Sequence, residues 1–108
     1  MTPAQAIGML DRQIAKHGQT VIVRRAGNTP VEVTVKAFVR NFKPAELVGD
    51  IRQGDASVIL SPTGMDSFPF PVQRGDKVVI VGATRNVEWA EHVMLADQLV
   101  RINLVVRG

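Results

Sequence analysis

In the stretch QLVRINLVVR, Gln98 to Arg107, the residues Val100, Ile102, Leu104 and Val106 fall on one side of an extended chain, while Arg101, Asn103 and Arg107 share the other. A period of two sustained over this length predicts a strand with one face in a core and one in water, and such a strand needs a partner. The candidate partner is RGDKVVIVG, Arg74 to Gly82. There Val78 to Val81 form an unbroken β-branched run, launched by Gly75-Asp76 and stopped by Gly82. The expectation is that these two strands pair and that the rest of the chain is organised around them.

The clearest alternation lies earlier. Val31, Val33, Val35, Ala37 and Val39 alternate with Glu32, Thr34, Lys36, Phe38 and Arg40, so one face is core and the other is wet. Gln19 to Ala26, centred on Val21-Ile22-Val23, supplies a partner strand, and Gly27-Asn28-Thr29-Pro30 supplies the turn, which makes residues 19 to 41 an antiparallel hairpin. Phe38 is the exception on the wet face, to be covered by a loop or a helix, or to belong to an interface. Thr84 to Glu91 is a further strand in which Val87 and Trp89 alternate with Glu88, and Val93-Met94-Leu95 precedes the polar turn Ala96-Asp97. Val33, Val35, Val79, Ile102 and Leu104 are the expected core.

Before the first strand, Thr2-Pro3-Ala4-Gln5 is a helix start: Thr2 caps, Pro3 suits the first helical position, and Gln5 returns a bond to the cap. The predicted helix runs from Pro3 to His17, with Ala6, Ile7, Leu10 and Ile14 as a narrow apolar stripe, and Gly18 is expected to stop it in a left-handed turn. A narrow stripe suits a helix packed on the outside of something, either as a lid over an open barrel end or as a contact with a neighbouring subunit. Ile7, Leu10 and Ile14, with Val93, Met94 and Leu95, are therefore the candidate interface residues.

Between the strands lie two irregular stretches. Phe42 to Asp55 loses the alternation and combines proline, two glycines and charges of both signs before turning at Gln53-Gly54-Asp55 into the strand Ala56 to Ser61. Pro62 to Gln73 holds Gly64 and three of the six prolines, and is expected to run as an extended crossing pinned to the core by Phe68 and Phe70. The fold class that follows is mainly β: a small antiparallel barrel or sandwich spanning residues 1–108 as one domain, with residues 1–18 as an N-terminal helix at its edge and 19–108 as the barrel.

Several functions are excluded on chemistry. The chain has no cysteine, which removes disulfides, thiol catalysis and cysteine-based zinc sites together. His17 and His92 are the two histidines and belong to no spaced ligand set. Asp50, Asp55, Asp66 and Asp76 each sit beside a glycine or at a turn, which is the place of turn chemistry rather than of an acid and base pair. Gly49 and Gly54 are followed by no lysine and hydroxyl that would meet a phosphate. The expectation is a protein that is not an enzyme and needs no cofactor or metal. No apolar run approaches the ~20 residues of a membrane span, and no secretory leader is visible at the N-terminus, so the chain is expected in a cytoplasm, away from membranes. A net charge of +3 and a pI near 10.0 allow a contact with nucleic acid or an acidic partner.

From Glu46 onward the chain resembles the small neck proteins of tailed bacteriophages known as head-tail joining, head-closure or stopper proteins. The residues that carry the resemblance are ELVGDIRQGDASVILSP (Glu46 to Pro62), the P-x-x-x-GDKVVIVG pattern in which Pro71 is four before Gly75, and the terminal LVRINLVVRG (Leu99 to Gly108). Arg85-Asn86-Val87-Glu88-Trp89 departs from the pattern, since such proteins more often carry an aromatic and valines there. The resemblance implies a small β-barrel with an edge helix, assembled with copies of itself as a ring in the virion neck and present in the host cytoplasm before assembly. Its partners would be a portal-side adaptor or head completion protein and a tail-side terminator protein, with packaged DNA close by. A loop between strands would project toward the channel axis and help to close it. By position that loop is Phe42 to Asp55, with Phe42, Lys43, Pro44, Glu46, Leu47, Val48, Asp50 and Arg52 as its candidate channel or partner residues. The competing reading is a basic nucleic-acid-binding barrel, OB-like or SH3-like, motivated by charge and strand content.

Overall fold

The structure is a computed structural model, and it describes residues 2–25, 30–41, 55–65 and 72–107. One helix, α1 (Pro3–His17), precedes six strands: β1 (Gln19–Arg25), β2 (Val31–Asn41), β3 (Ala56–Leu60), β4 (Lys77–Ile80), β5 (Ala83–Leu95) and β6 (Gln98–Arg107). All neighbours are antiparallel, and the strands close into a barrel in the order β1-β2-β3-β6-β5-β4, with β4 returning to β1. The mainly β expectation and the N-terminal helix are both met. The expected pairing of Arg74–Gly82 with the C-terminal strand is not: β4 lies between β1 and β5, while β6 lies between β3 and β5. β4 is joined to β5 by a two-residue turn that fills one of its edges, and β1 fills the other, leaving none for β6.

Inward-facing residues fill the interior. Val21 and Val23, Val58 and Leu60, Val78 and Ile80, Val87, and Ile102, Leu104 and Val106 are buried in one cluster, with Ala37, Ala56 and Val72 completing it. Ile102 and Leu104 are core as expected, and Val33 and Val35 pack on the cluster while half-buried. Val79 is a correction. The alternation within β4 puts Val78 and Ile80 inside and Val79 on the outer side, a phase that four consecutive β-branched residues could not reveal. Val81 is also corrected: it is 88 % exposed at the turn, not strand. Val81 and Gly82 both have positive φ (49° and 78°), as do Ala96 and Asp97 (50° and 63°) at the β5–β6 turn. Both are two-residue hairpins of the type whose twist matches the strands, and the β-branched Val81 is strained there.

β5 is one strand of 13 residues, where the sequence suggested two pieces. It carries a bulge: Val87 pairs with Val106 and Trp89 with Val105, leaving Glu88 as the extra residue. The bulge resets the phase, so Val87 is inside and Trp89 outside, 53 % exposed; the expected shared face of these two residues is thereby overturned.

The capping box of α1 forms as expected: Gln5 N donates to Thr2 Oγ1 (3.2 Å) and Thr2 N donates to Gln5 Oε1 (2.9 Å). Gly18 does not end the helix in a left-handed turn. Its φ and ψ are −87° and 176°, extended values open to any residue. What demands glycine is space, since a Cβ there would lie 2.8 Å from the Ala37 carbonyl oxygen and 2.5 Å from that of Ile14. The helix therefore enters β1 in backbone contact with β2. It packs on β2 and β6, the two neighbours of β3, and Thr63 Oγ1, just past β3, donates to Asp11 Oδ2 (2.8 Å).

Candidate functional surface

Two side-chain clasps hold the barrel seams. Arg25, the last residue of β1, donates from Nε and Nη2 to the two oxygens of Asp76 (2.9 and 2.8 Å), and Gln73 N donates to Asp76 Oδ2 (2.9 Å). Arg107, the last residue of β6, does the same to Asp55 at 2.9 Å for both bonds. Asp55 and Asp76 are 1 % and 4 % exposed, so these planar two-pronged pairs supply the charge balance that burial demands. The hydrogen bond to Asp76 is the main cause that raises the Arg25 pKa above its ordinary value, ahead of an opposing desolvation effect and a smaller Coulombic gain. A raised folded-state pKa stabilises at every pH below the unfolded value, so this contribution is complete across the ordinary range and fades only as the pH rises past the ordinary arginine value.

The sequence presented both aspartates as turn residues. Asp76 does accept a local bond, but each aspartate also has a long-range role, with arginine partners 51 and 52 residues away. The one available signal was symmetry: each Gly-Asp opens a strand whose antiparallel neighbour ends in arginine.

The outer wall carries the surface. On β5 and β6 the outward residues pair as Trp89 with Val105, Glu91 with Asn103, and Val93 with Arg101. Asn103 Nδ2 donates to Glu91 Oε1 and Arg101 Nε donates to Asn103 Oδ1, both at 2.8 Å. This polar ladder ties Arg101, Asn103 and Glu91 together on the same wall as Trp89. On the next strands Ile59 stands between Asn103 and Phe38, so Phe38 is half-buried beside another apolar residue rather than isolated. Large apolar side chains stand exposed at Met9 (44 %), Val81, Trp89 and Met94 (55 %).

The candidate residues from the sequence divide. Ile14 is buried at 4 %, and Ile7 and Leu10 are half-buried on the same stripe, leaving Met9 on the open side of α1. Val93 and Leu95 are half-buried near the β5–β6 turn, where Met94 is exposed. The loop residues Phe42, Lys43, Pro44, Glu46, Leu47, Val48, Asp50 and Arg52 lie outside the described residues, as do Phe68 and Phe70. At the start of the expected extended crossing, Pro62 to Met65 instead form a turn with Gly64 at φ 84°, and 66–71 lie outside the described residues. Val72, fully buried, pins the crossing and accepts from His92 Nε2 (2.6 Å).

Among the described residues no three histidine, aspartate or glutamate side chains gather as metal ligands, and no helix is long and apolar enough to cross a membrane. The chain matches no model of a known protein family and no curated protein.

Proposed function

We propose that this chain is a structural protein of the phage neck, a barrel that builds a ring between capsid and tail through contacts on its outer wall. The observation that carries this reading is the placement of Trp89. A bulge in β5 turns the chain's single tryptophan outward from a closed, apolar-filled barrel, and exposed tryptophan on a rigid sheet is the residue type that dominates protein interfaces. Support also comes from the segments behind the resemblance. Ala56–Leu60, Lys77–Ile80 and Gln98–Arg107 are three of the six barrel strands, and their Gly-Asp corners hold the two clasps. The function is then one of shape and contact, and the loop 42–55 remains the proposed channel-facing element.

Replacing Trp89 with serine in a phage that carries this gene tests the proposal. The expected result is soluble, folded protein with filled heads that fail to join tails. Normal yields of tailed particles containing the variant would remove the outer wall from the mechanism. The nucleic-acid reading separates on salt: a binder with a multi-phosphate footprint loses affinity steeply as salt rises, whereas the neck protein has weak affinity for free duplex.

A further inference from the structure

A ring sets a demand that one patch cannot meet. If the wall around Trp89 paired with the same wall of a second copy, the contact would be two-fold and would close at two copies. A ring needs two different surfaces of the chain that fit each other head to tail. The second surface must carry an apolar anchor and a charge opposite to the one beside Trp89.

The open side of α1 has both. Gln5, Met9, Arg12 and Lys16 are all exposed, and their three- and four-residue spacing puts them on one face of the helix, opposite the Ile7, Leu10 and Ile14 stripe. Met9 is the exposed large apolar residue of α1, and Ala4, Gln5, Gly8, Met9 and Arg12 line a depression of about 500 Å³. The charge on this face is positive. Asp11, the one acid of α1, is turned to Thr63, and Arg12 and Lys16 hold no ion pair among the described residues.

Beside Trp89 the sign is reversed. Glu91 stands two residues along the same outward face and is exposed. Its bond from Asn103 engages one oxygen, and the carboxylate can accept a further donor. The cations of this wall are turned elsewhere, Arg101 to Asn103 and Arg107 to Asp55. The spacings also match. Trp89 and Glu91 are about 6.6 Å apart along their strand, and Met9 and Arg12, three apart on a helix, have Cβ atoms about 5–6 Å apart. An indole laid over Met9 gains a sulfur contact and brings Glu91 beside Arg12. We infer that the open side of α1 in one copy receives the Trp89 wall of the next, with Met9 under the indole and Arg12 against Glu91. This contact rests on the neck reading and deepens it by naming the neighbour: a second copy of this chain, docked head to tail.

Charge reversal tests the contact without any phage component. Arg12→Glu sets like charges against Glu91, and Glu91→Arg sets like charges against Arg12, so each variant alone should self-associate about tenfold or more weakly than the parent. An equal mixture of the two should regain the parent's association, because both head-to-tail contacts between the variants again join opposite charges. The readout is the amide chemical shifts of isotope-labelled protein as its concentration rises to about 2 mM, since one anchor and one ion pair give a Kd of about 0.1–1 mM. Shifts should appear together at Met9 and Arg12 and at Trp89, Glu91 and Val105, and the dilute spectra establish that each variant is folded. No concentration dependence in the parent, shifts on the wall without the helix, variants that associate as the parent does, or a mixture no better than its components would overturn the contact. If Trp89→Ser still blocks tail joining in that case, the wall meets a different protein and the neck reading stands.

Discussion

Asp76 and Asp55 both follow a glycine at the head of a strand and both receive a two-pronged arginine, yet the two corners are built differently. At the first, Asp76 takes a third bond from Gln73 N, and the Arg25 side chain is 17 % exposed. At the second, the Arg107 side chain is 30 % exposed and has another acid, Glu88 at the β5 bulge, 3.7 Å away. The first corner is closed, with Asp76 holding three bonds. The second is shared, and its arginine has somewhere to turn if Asp55 is lost. The difference teaches that a shared Gly-Asp and similar bond lengths do not imply equal contributions, because the cost of breaking a buried pair is the cost of the charge left behind.

The sharpest way to break this comparison is to remove each acid in turn. Asp76→Ala leaves Arg25 facing a buried seam and should cost about 3–5 kcal/mol in denaturant unfolding. Asp55→Ala should cost about 1–3 kcal/mol, because Glu88 retains part of the charge balance. Equal losses, or a larger loss at Asp55, would show that Glu88 is no reserve.

A core substitution calibrates both numbers. Leu104 is 1 % exposed on β6, opposite Val58 and Ala90, so Leu104→Ala should cost about 2–5 kcal/mol. A near-neutral effect on thermal unfolding would mean that the interior is not the closed cluster described.

The smallest expected effect has the opposite sign. Val81 holds a left-handed conformation at a nearly fully exposed turn, which for an L-residue costs about 1–2 kcal/mol. Val81→Asn, giving Asn-Gly in a two-residue hairpin, should raise stability by about 1 kcal/mol. A destabilised variant would indicate that Val81 makes a contact within the chain.

What could be read in the sequence was whatever repeats within a few residues. The capping box needed only Thr2 and Gln5, and the face of β6 needed only its own alternation. Three features escaped because their signals lie elsewhere. The phase of β4 is hidden in four like residues, Val78 to Val81, and is set by its pairing with β1. The outward turn of Trp89 depends on one unpaired residue, Glu88, whose bulge appears only when β6 is laid alongside. The clasps join positions half a chain apart, and an aspartate after glycine reads as a turn whether or not a distant arginine reaches it. The candidate surface was legible in part, for Met94 and its neighbours were named while Trp89 was placed on the same face as Val87.

The central claim is that the outer wall around Trp89 is free in the isolated chain and covered in an assembly. Since Trp89 is the single tryptophan, its fluorescence reports on this directly. In the isolated protein the emission should be that of a water-exposed indole, readily quenched by acrylamide, and on incorporation into neck particles whose other tryptophans have been replaced it should shift to the blue and lose its quenching. An indole already shielded in the isolated protein, or one equally quenched before and after incorporation, would contradict the account.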